Sequence, residues 1–330
     1  MPLPKADIIP RYQVLLQHVP SPEADRQELL AGLCGPRPFI ASKFFYDSLG
    51  SQLFAAITVL DEYYLTRTET AIMAASVSEM ASTFGSRACT IVDLGAGDCV
   101  KASRLFTAFK PQQYVAVDIS AQYLRQSLEG LQARFPEVPM FGMVADFTRA
   151  LSFSGAAPTS PRLFHYPGSS IGNFTPSEAQ TFLSMLCARI DELGGLLIGV
   201  DLVKDVVTLE SAYDDALGVT AAFNLNVLRN ANRIAGTDFA VTDWRHVSTF
   251  NAVHSRIEMH VEARHAIELN WPGGRRTFMA GDRIHTENSH KYREADFAAL
   301  LERAGFAVEA AWTDEREWFA VFLARPARLP

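Results

Sequence analysis

The chain has 330 residues, enough for two domains, with 30 basic and 37 acidic side chains and a net charge of −7. That balance, with its basic residues scattered, offers no electrostatic footprint for DNA or RNA, and no apolar run reaches the ~18 residues of a membrane span. Four cysteines without CxxC spacing, and an N-terminus without an apolar leader core, point to a reduced, cytoplasmic setting in which the cysteines are small buried hydrophobes.

In chain order, residues 1–20 carry Pro2, Pro4, Pro10 and Pro20 and read as an irregular arm. Residues 23–33 follow a Ser-Pro start and form a helix closed by Gly32 and Gly35. An aromatic stretch comes next. Leu53, Phe54, Ile57 and Leu60 keep helical spacing and pack inward, with Tyr46, Tyr63 and Tyr64 at the ends of that helix. A phenol there is either a core plug or a hydroxyl offered to a polar ligand. Residues 68–82 make a further helix that leads into a strand.

That strand, 90–94, runs straight into Gly95-Ala96-Gly97, and Val100, Ala102, Leu105, Phe106 and Phe109 then trace an amphipathic helix. Strand, glycine turn and helix open a βαβ nucleotide-binding unit, because glycines let the backbone turn sharply and approach a ligand that a Cβ would push away. A dinucleotide fingerprint wants a third glycine where Val100 stands. Asp98, at the mouth of the turn, opposes a diphosphate but suits the amine and sulfonium cation of S-adenosylmethionine. A tight structural turn is the alternative. The strand 114–118 ends in Asp118, placed for ribose hydroxyls. After the strand 140–144, Asp146 and Phe147 offer a carboxylate for an adenine amino group and a ring to cover its face.

Residues 121–135 form the intervening helix. The strand 162–166 enters Pro167-Gly168-Ser169-Ser170-Ile171-Gly172-Asn173, a loop rich in hydrogen-bonding groups at the strand end that faces the reacting centre in this fold class. A helix over 176–190 starts with proline in its first turn, and the strand 195–200 ends at Asp201. After Lys204 a long insert holds helices over 208–217 and 221–234. Strands follow around 255–269 and 276–284, with Trp271-Pro-Gly-Gly274 as a turn. The core resumes with a helix over 294–304 and strands over 306–314 and 317–324. The expected architecture is α/β: a class I Rossmann-like methyltransferase core, residues 68–204 and 286–330, beside a discontinuous α+β substrate-binding domain, residues 1–67 and 205–285. The eight histidines show no HxxxH or HExxH spacing, so no metal is expected.

Further landmarks are Phe45-Tyr46-Asp47, Glu62-Tyr63-Tyr64 with Thr66-Arg67, Gly168 to Asn173, Asp201-Leu-Val-Lys-Asp205, Ala212-Tyr-Asp-Asp215, Gly218 to Asn224 and Thr286-Glu287-Asn288-Ser289 with Lys291 to Arg293. On these, nearly the whole chain resembles the ergothioneine-pathway histidine Nα-methyltransferases, which trimethylate histidine to hercynine with S-adenosylmethionine. The resemblance implies that Asn173 and Tyr213 hold the substrate carboxylate. It implies that Glu287 and Ser289 bind the imidazole with Tyr63 on the other side, that Met259 lies against the ring, and that Phe54 walls the pocket. Tyr46 and Gly168 are then the catalytic pair beside the α-amino group, and Gly95, Gly97, Lys101, Asp118, Asp146 and Phe147 bind the cofactor. Asn288 and the Ser169-Ser170 pair depart from the family's commoner residues.

The implied chemistry is in-line displacement, which needs a neutral amine and fixed geometry; alignment alone supplies roughly 7–11 kcal/mol. A carboxylate and a hydroxyl can serve the two ring nitrogens. The expected partner is a small molecule, histidine, with no nucleic acid and no membrane, and the chain acts as a monomer or weak dimer. Two other readings stand beside this one: Nα-methylation of another amino acid such as tryptophan, and a non-catalytic S-adenosylmethionine sensor.

Overall fold

The computed structural model describes residues 12–16, 21–85, 87–148, 151, 153 and 159–327. The elements run β1 (Tyr12–Leu16), α1 (Pro22–Cys34), α2 (Ser48–Ile57), α3 (Tyr64–Phe84), β2 (Thr90–Leu94), α4 (Val100–Ser103), α5 (Phe106–Phe109), β3 (Gln113–Asp118), α6 (Ala121–Arg134), β4 (Met140–Val144), β5 (Arg162–Tyr166), α7 (Pro176–Cys187) and β6 (Gly195–Asp201). The insert and C-terminal part add α8 (Val206–Ser211), α9 (Val219–Ala235), β7 (Trp244–Asn251), β8 (Arg256–Ala263), β9 (Ile267–Trp271), β10 (Gly274–Phe278), β11 (Arg283–His290), α10 (Glu294–Arg303), β12 (Phe306–Thr313) and β13 (Phe319–Pro326).

Eight strands of the described residues form one sheet in the order β1-β4-β3-β2-β5-β6-β13-β12. It is parallel from β1 to β6 and antiparallel beyond. Helices cover both faces, so β2 is buried at every position, as its run of apolar residues requires. The chain steps outward from β2 through β3 to β4, then returns to the other side of β2 with β5. This reversal opens a crevice at the carboxyl ends of β2 and β5, where ligands bind in open α/β sheets. Gly95-Ala96-Gly97 and Gly168 both lie at that crevice.

Some expectations change. The arm is not irregular throughout: Tyr12–Leu16 pairs in parallel with Met140–Val144 as an edge strand, its half-buried Tyr12, Val14 and Leu15 finding a sheet edge that local composition did not announce. The rest of that arm lies outside the described residues. The helix after Gly97 is broken into α4 and α5 by a turn at Arg104–Leu105.

A second layer is built around α9. Gly218 precedes it with a left-handed backbone, and Asp215 caps it, accepting from Val219 N at 2.9 Å and Thr220 N at 2.7 Å. One side meets the antiparallel sheet β11-β8-β7, where Asn224 donates to His260 O at 2.9 Å. On the other side Asn226 donates to Asp47 at 2.9 Å and Asn230 to Phe44 O at 2.7 Å. Buried amides thus tie residues 44–47 to the insert, since each must find a partner once desolvated. Ile40 N also donates to His285 O at 2.9 Å. The expected break between 285 and 286 falls inside β11, whose residues pair with β8 through His290.

Candidate active site

At the end of β2, Gly95 (φ +70°) and Gly97 (φ +53°) adopt left-handed conformations that side-chain-bearing residues rarely take. Gly97 N donates to Asp118 Oδ2 at 3.0 Å, and Ser120 N donates to Oδ1 at 2.9 Å. Asp118 is half-buried; desolvation raises its pKa, and these amide donors oppose the rise. Phe147 lies against Gly95: a Cβ there would sit 3.9 Å from the ring tip. Asp146 is buried beside it. This cradle of open glycine backbone, a carboxylate at the neighbouring strand end, and a ring beside a second carboxylate fits a nucleoside: ribose hydroxyls on Asp118, a base edge at Asp146 and its face on Phe147.

Two buried carboxylates brace this turn. Asp93 accepts from the Tyr114 hydroxyl at 2.8 Å and lies 2.7 Å from His165 Nδ1, so it supports β2 from beneath. Glu69, on α3, spans the crevice. Its Oε2 takes Lys101 Nζ at 2.7 Å and its Oε1 takes Gly168 N at 2.8 Å. Gly168 (φ +77°) has a left-handed backbone that side-chain-bearing residues rarely take, and a Cβ there would press on Lys101 Nζ at 2.9 Å. Asp98 is exposed and caps Val100 N at 3.0 Å. It thus binds its own turn.

The other half of the site is aromatic. Tyr46 stands edge-on to Phe54 (centroids 5.8 Å) and to Phe223 (5.9 Å). Phe54 meets Tyr63 at 6.3 Å, and Tyr63 meets Tyr213 at 6.2 Å. Burial, and then nearby negative charge, push the Tyr46 hydroxyl well above the usual phenol range; the charges that reach it include Glu287 and Asp118. The Tyr63 hydroxyl is raised likewise, first by burial. Tyr64 departs from Tyr46 and Tyr63 in that its hydroxyl is engaged, bonding both oxygens of Asp201 at 2.9 and 2.7 Å.

Glu287 reaches this space because of a β-bulge. Ile284 pairs with Val261 and His285 with His260, the register then slips, and Glu287 pairs with Met259 and Ser289 with Ile257. The extra residue, Thr286, is buried and donates to Asn224 Oδ1 (2.7 Å) and is 3.0 Å from Met259 O. Without that slip, strict alternation from Ile284 would point Glu287 to the opposite face. Met259 is directly across from Glu287 and shares its face. The Glu287 carboxylate makes no hydrogen bond within the described residues, and burial pushes its pKa up to about 7 against the opposing pull of Lys291. The side chains of Tyr46, Tyr63 and Asn173 likewise make no hydrogen bond within the described residues.

Beside Glu287, Ser289 Oγ lies 2.6 Å from the Tyr213 hydroxyl. Lys291 Nζ donates to both, at 2.8 and 3.0 Å, and stands 2.7 Å from Asp201 Oδ2 with neither charge exposed. Lys204 holds the other Asp201 oxygen at 2.6 Å; burial first of all lowers its pKa to about 8. Asn173 closes the short 3₁₀ turn Ser170–Asn173, which packs on β11 through His290 Nδ1 and Gly172 O at 2.9 Å.

Sequence reasoning missed Glu69, Asp201, Phe223 and Lys291. Asp201 and Lys291 fell within motifs already noted, but nothing local marks a charge as buried. Phe223 likewise fell within the noted stretch Gly218 to Asn224, where nothing marks an aromatic residue as lining a site.

The family described as histidine-specific, SAM-dependent methyltransferase matches residues 25–326. The chain is 38% identical over 309 residues to a histidine N-alpha-methyltransferase of Mycolicibacterium smegmatis, covering 92% of this chain and 95% of that one. It is 37% identical to its namesake in Mycobacterium tuberculosis, covering 91% and 94%. It is 33% identical to ergothioneine biosynthesis protein 1 of Neurospora crassa over 88% of this chain and 33% of that longer protein.

Proposed function

We propose, because this chain belongs to the family of histidine-specific, S-adenosylmethionine-dependent methyltransferases, that its site performs that reaction by gripping histidine at both ends. The enzyme methylates the α-amino nitrogen of histidine as a step of ergothioneine biosynthesis. In our reading the imidazole lies between Glu287 and Ser289 with Met259 and Tyr63 against it and Phe54 behind. The carboxylate meets Asn173 and Tyr213. The amino group then faces Tyr46 and Gly168, which border the nucleoside cradle. The substrate lobe comprises the segment to residue 67 and the insert from residue 205, which we carry through His290 to keep β11 whole. We take the enzyme as a cytoplasmic monomer or weak dimer whose partner is a small molecule.

S-adenosylmethionine supplies, when bound, an electrophilic methyl group on a cationic sulfur. Gly95, Gly97, Asp118, Asp146 and Phe147 hold its nucleoside, and Lys101, pinned by Glu69, marks its far end. The chain's own task is to present a bare amine lone pair along the line of that methyl, and this positioning is where most of the barrier is removed. Tyr46 does not act as a phenolate, because burial and negative neighbours hold its proton. It accepts from the amine N–H and passes the departing proton to water. Repeated transfer to three methyls requires a loose polar contact at the nitrogen, since a tight hold on the ammonium form would hide the lone pair.

The observation that carries this reading is Glu287: a half-buried, unbonded carboxylate paired across from Met259 among hydroxyls. A site with such unmet hydrogen-bonding groups rejects apolar isosteres, often by about 10⁴–10⁵. Incubating the purified enzyme with histidine, tryptophan and the cofactor, and following mono-, di- and trimethylated products by mass spectrometry, tests it. Trimethylhistidine is expected. Preference for tryptophan, or cofactor binding without turnover, would replace this reading by one of the other two.

A further inference from the structure

The hydroxyls of Tyr213 and Ser289 hold two protons between them, and the bond that joins them at 2.6 Å uses one. Lys291 donates to each oxygen, so neither hydroxyl can turn its proton towards Lys291. The ammonium is itself full: three N–H groups meet Ser289, Tyr213 and Asp201. The pair therefore offers a substrate one O–H and one lone pair.

The next step rests on the reading above, in which Tyr213 meets the substrate carboxylate. A carboxylate only accepts, so the free O–H belongs to Tyr213. Ser289 must then donate to Tyr213 and turn its remaining lone pair to the ring. A lone pair takes only an N–H, so the ring nitrogen at Ser289 carries hydrogen. The second ring nitrogen meets Glu287. If Glu287 is ionised, that nitrogen also carries hydrogen; if Glu287 is protonated, it donates to a bare nitrogen. Either way the ring and Glu287 together hold one proton more than a neutral imidazole beside a carboxylate.

We propose that Lys291 is a positioning residue whose fixed donors make the site take histidine together with one extra proton, shared between the imidazole and Glu287. The groups facing Glu287 are consistent with this. They are the phenols of Tyr46, Tyr63 and Tyr213, all raised above their usual range chiefly by burial, and the Lys291 ammonium. Asp201 lies behind Lys291 and is itself occupied by Tyr64 and Lys204. None of the facing phenols titrates near neutrality, so the proton has to go to the ring or to Glu287.

Nα-trimethylhistidine is the suitable probe, because its quaternary nitrogen does not titrate and only its ring can change protonation. Its binding to the enzyme loaded with S-adenosylhomocysteine is measured by calorimetry in buffers of different ionisation enthalpy. Near pH 7.5, above both the ~6.5 of a free ring and the value of about 7 to which burial raises Glu287 in the free enzyme, the expected uptake is about two thirds of a proton per ligand, rising towards one at higher pH. Binding without uptake overturns the proposal and leaves the histidine reading standing. Failure to bind, with no turnover of histidine, overturns both. In Lys291→Met, Ser289 regains its freedom to donate, and uptake is expected to fall well below the wild-type value; unchanged uptake removes Lys291 from the role. Should that variant not fold, nitrogen-15 spectra of the ring-labelled probe on the wild-type enzyme decide the matter. Protonated character at both ring nitrogens supports the proposal, and one bare nitrogen free of any proton donor contradicts it.

Discussion

Glu287 faces Met259 across the β8–β11 ladder although Ile284, an odd number of residues earlier, points to the same side. The bulge at Thr286 makes both true, and it places the acceptor-side carboxylate indoors. Replacing Glu287 with Ala is expected to raise the KM for histidine roughly 10–100-fold, the loss of a charged hydrogen bond. The affinity for S-adenosylmethionine should hardly move. Steady-state kinetics with each substrate varied checks the split, and an unchanged histidine KM removes Glu287 from the ring site.

The same carboxylate costs stability in the free enzyme. Its pKa is raised from an ordinary 4.5 to about 7, so the native state binds more protons than the unfolded chain between these values. Stability therefore falls as pH rises through that window. Glu287→Gln removes the cost and should raise Tm at pH 8, with the gain vanishing near pH 4.5. The full shift is worth roughly 3 kcal/mol and partial exposure reduces it to about 1–2 kcal/mol. Thermal melts of both proteins at the two pH values test the sign; a variant less stable at the higher pH contradicts it.

Thr286 anchors the bulge by bonding Asn224 and Met259 O. Thr286→Val keeps the shape but leaves the Asn224 oxygen without its donor, at about 1–3 kcal/mol. Denaturant unfolding should show that loss, and the histidine KM should rise with it because Glu287 and Ser289 follow the bulge in sequence. A fall in stability with unaltered KM would mean that the strand holds its register without this anchor.

On the nucleoside side, Asp118→Ala is expected to weaken cofactor binding roughly 10–100-fold. Glu69→Gln, which keeps one acceptor oxygen but replaces the other with an NH2 that cannot accept from Lys101 or Gly168, should weaken it less and leave the histidine KM nearly unchanged. Calorimetric titration with S-adenosylhomocysteine reads both. Equal wild-type affinity in Asp118→Ala would mean that the ribose is held elsewhere.

Much of this was legible in the sequence. The strand running into Gly95, the acid at Asp118 and the Asp146-Phe147 pair are local chemistry at strand ends, beside the point where the strand order reverses. What escaped was non-local. Tyr12–Leu16 is a strand only because β4 offers an open edge. Lys291 and Asp201 look like surface charges until folding brings them to 2.7 Å with no water access. The bulge hides in the alternation itself, because one extra residue inverts every facing assignment after it. Tyr46, Tyr63 and Tyr64 show the limit well: three similar phenols, of which Tyr64 alone is consumed by Asp201.

The most direct measurement is a crystal structure of the enzyme with histidine and S-adenosylhomocysteine. The account predicts the ring between Glu287 and Ser289, the carboxylate at Asn173 and Tyr213, and the amino nitrogen beside Tyr46, aimed at the sulfur. A ring lying away from Glu287, or an amino group turned from the sulfur, would contradict it.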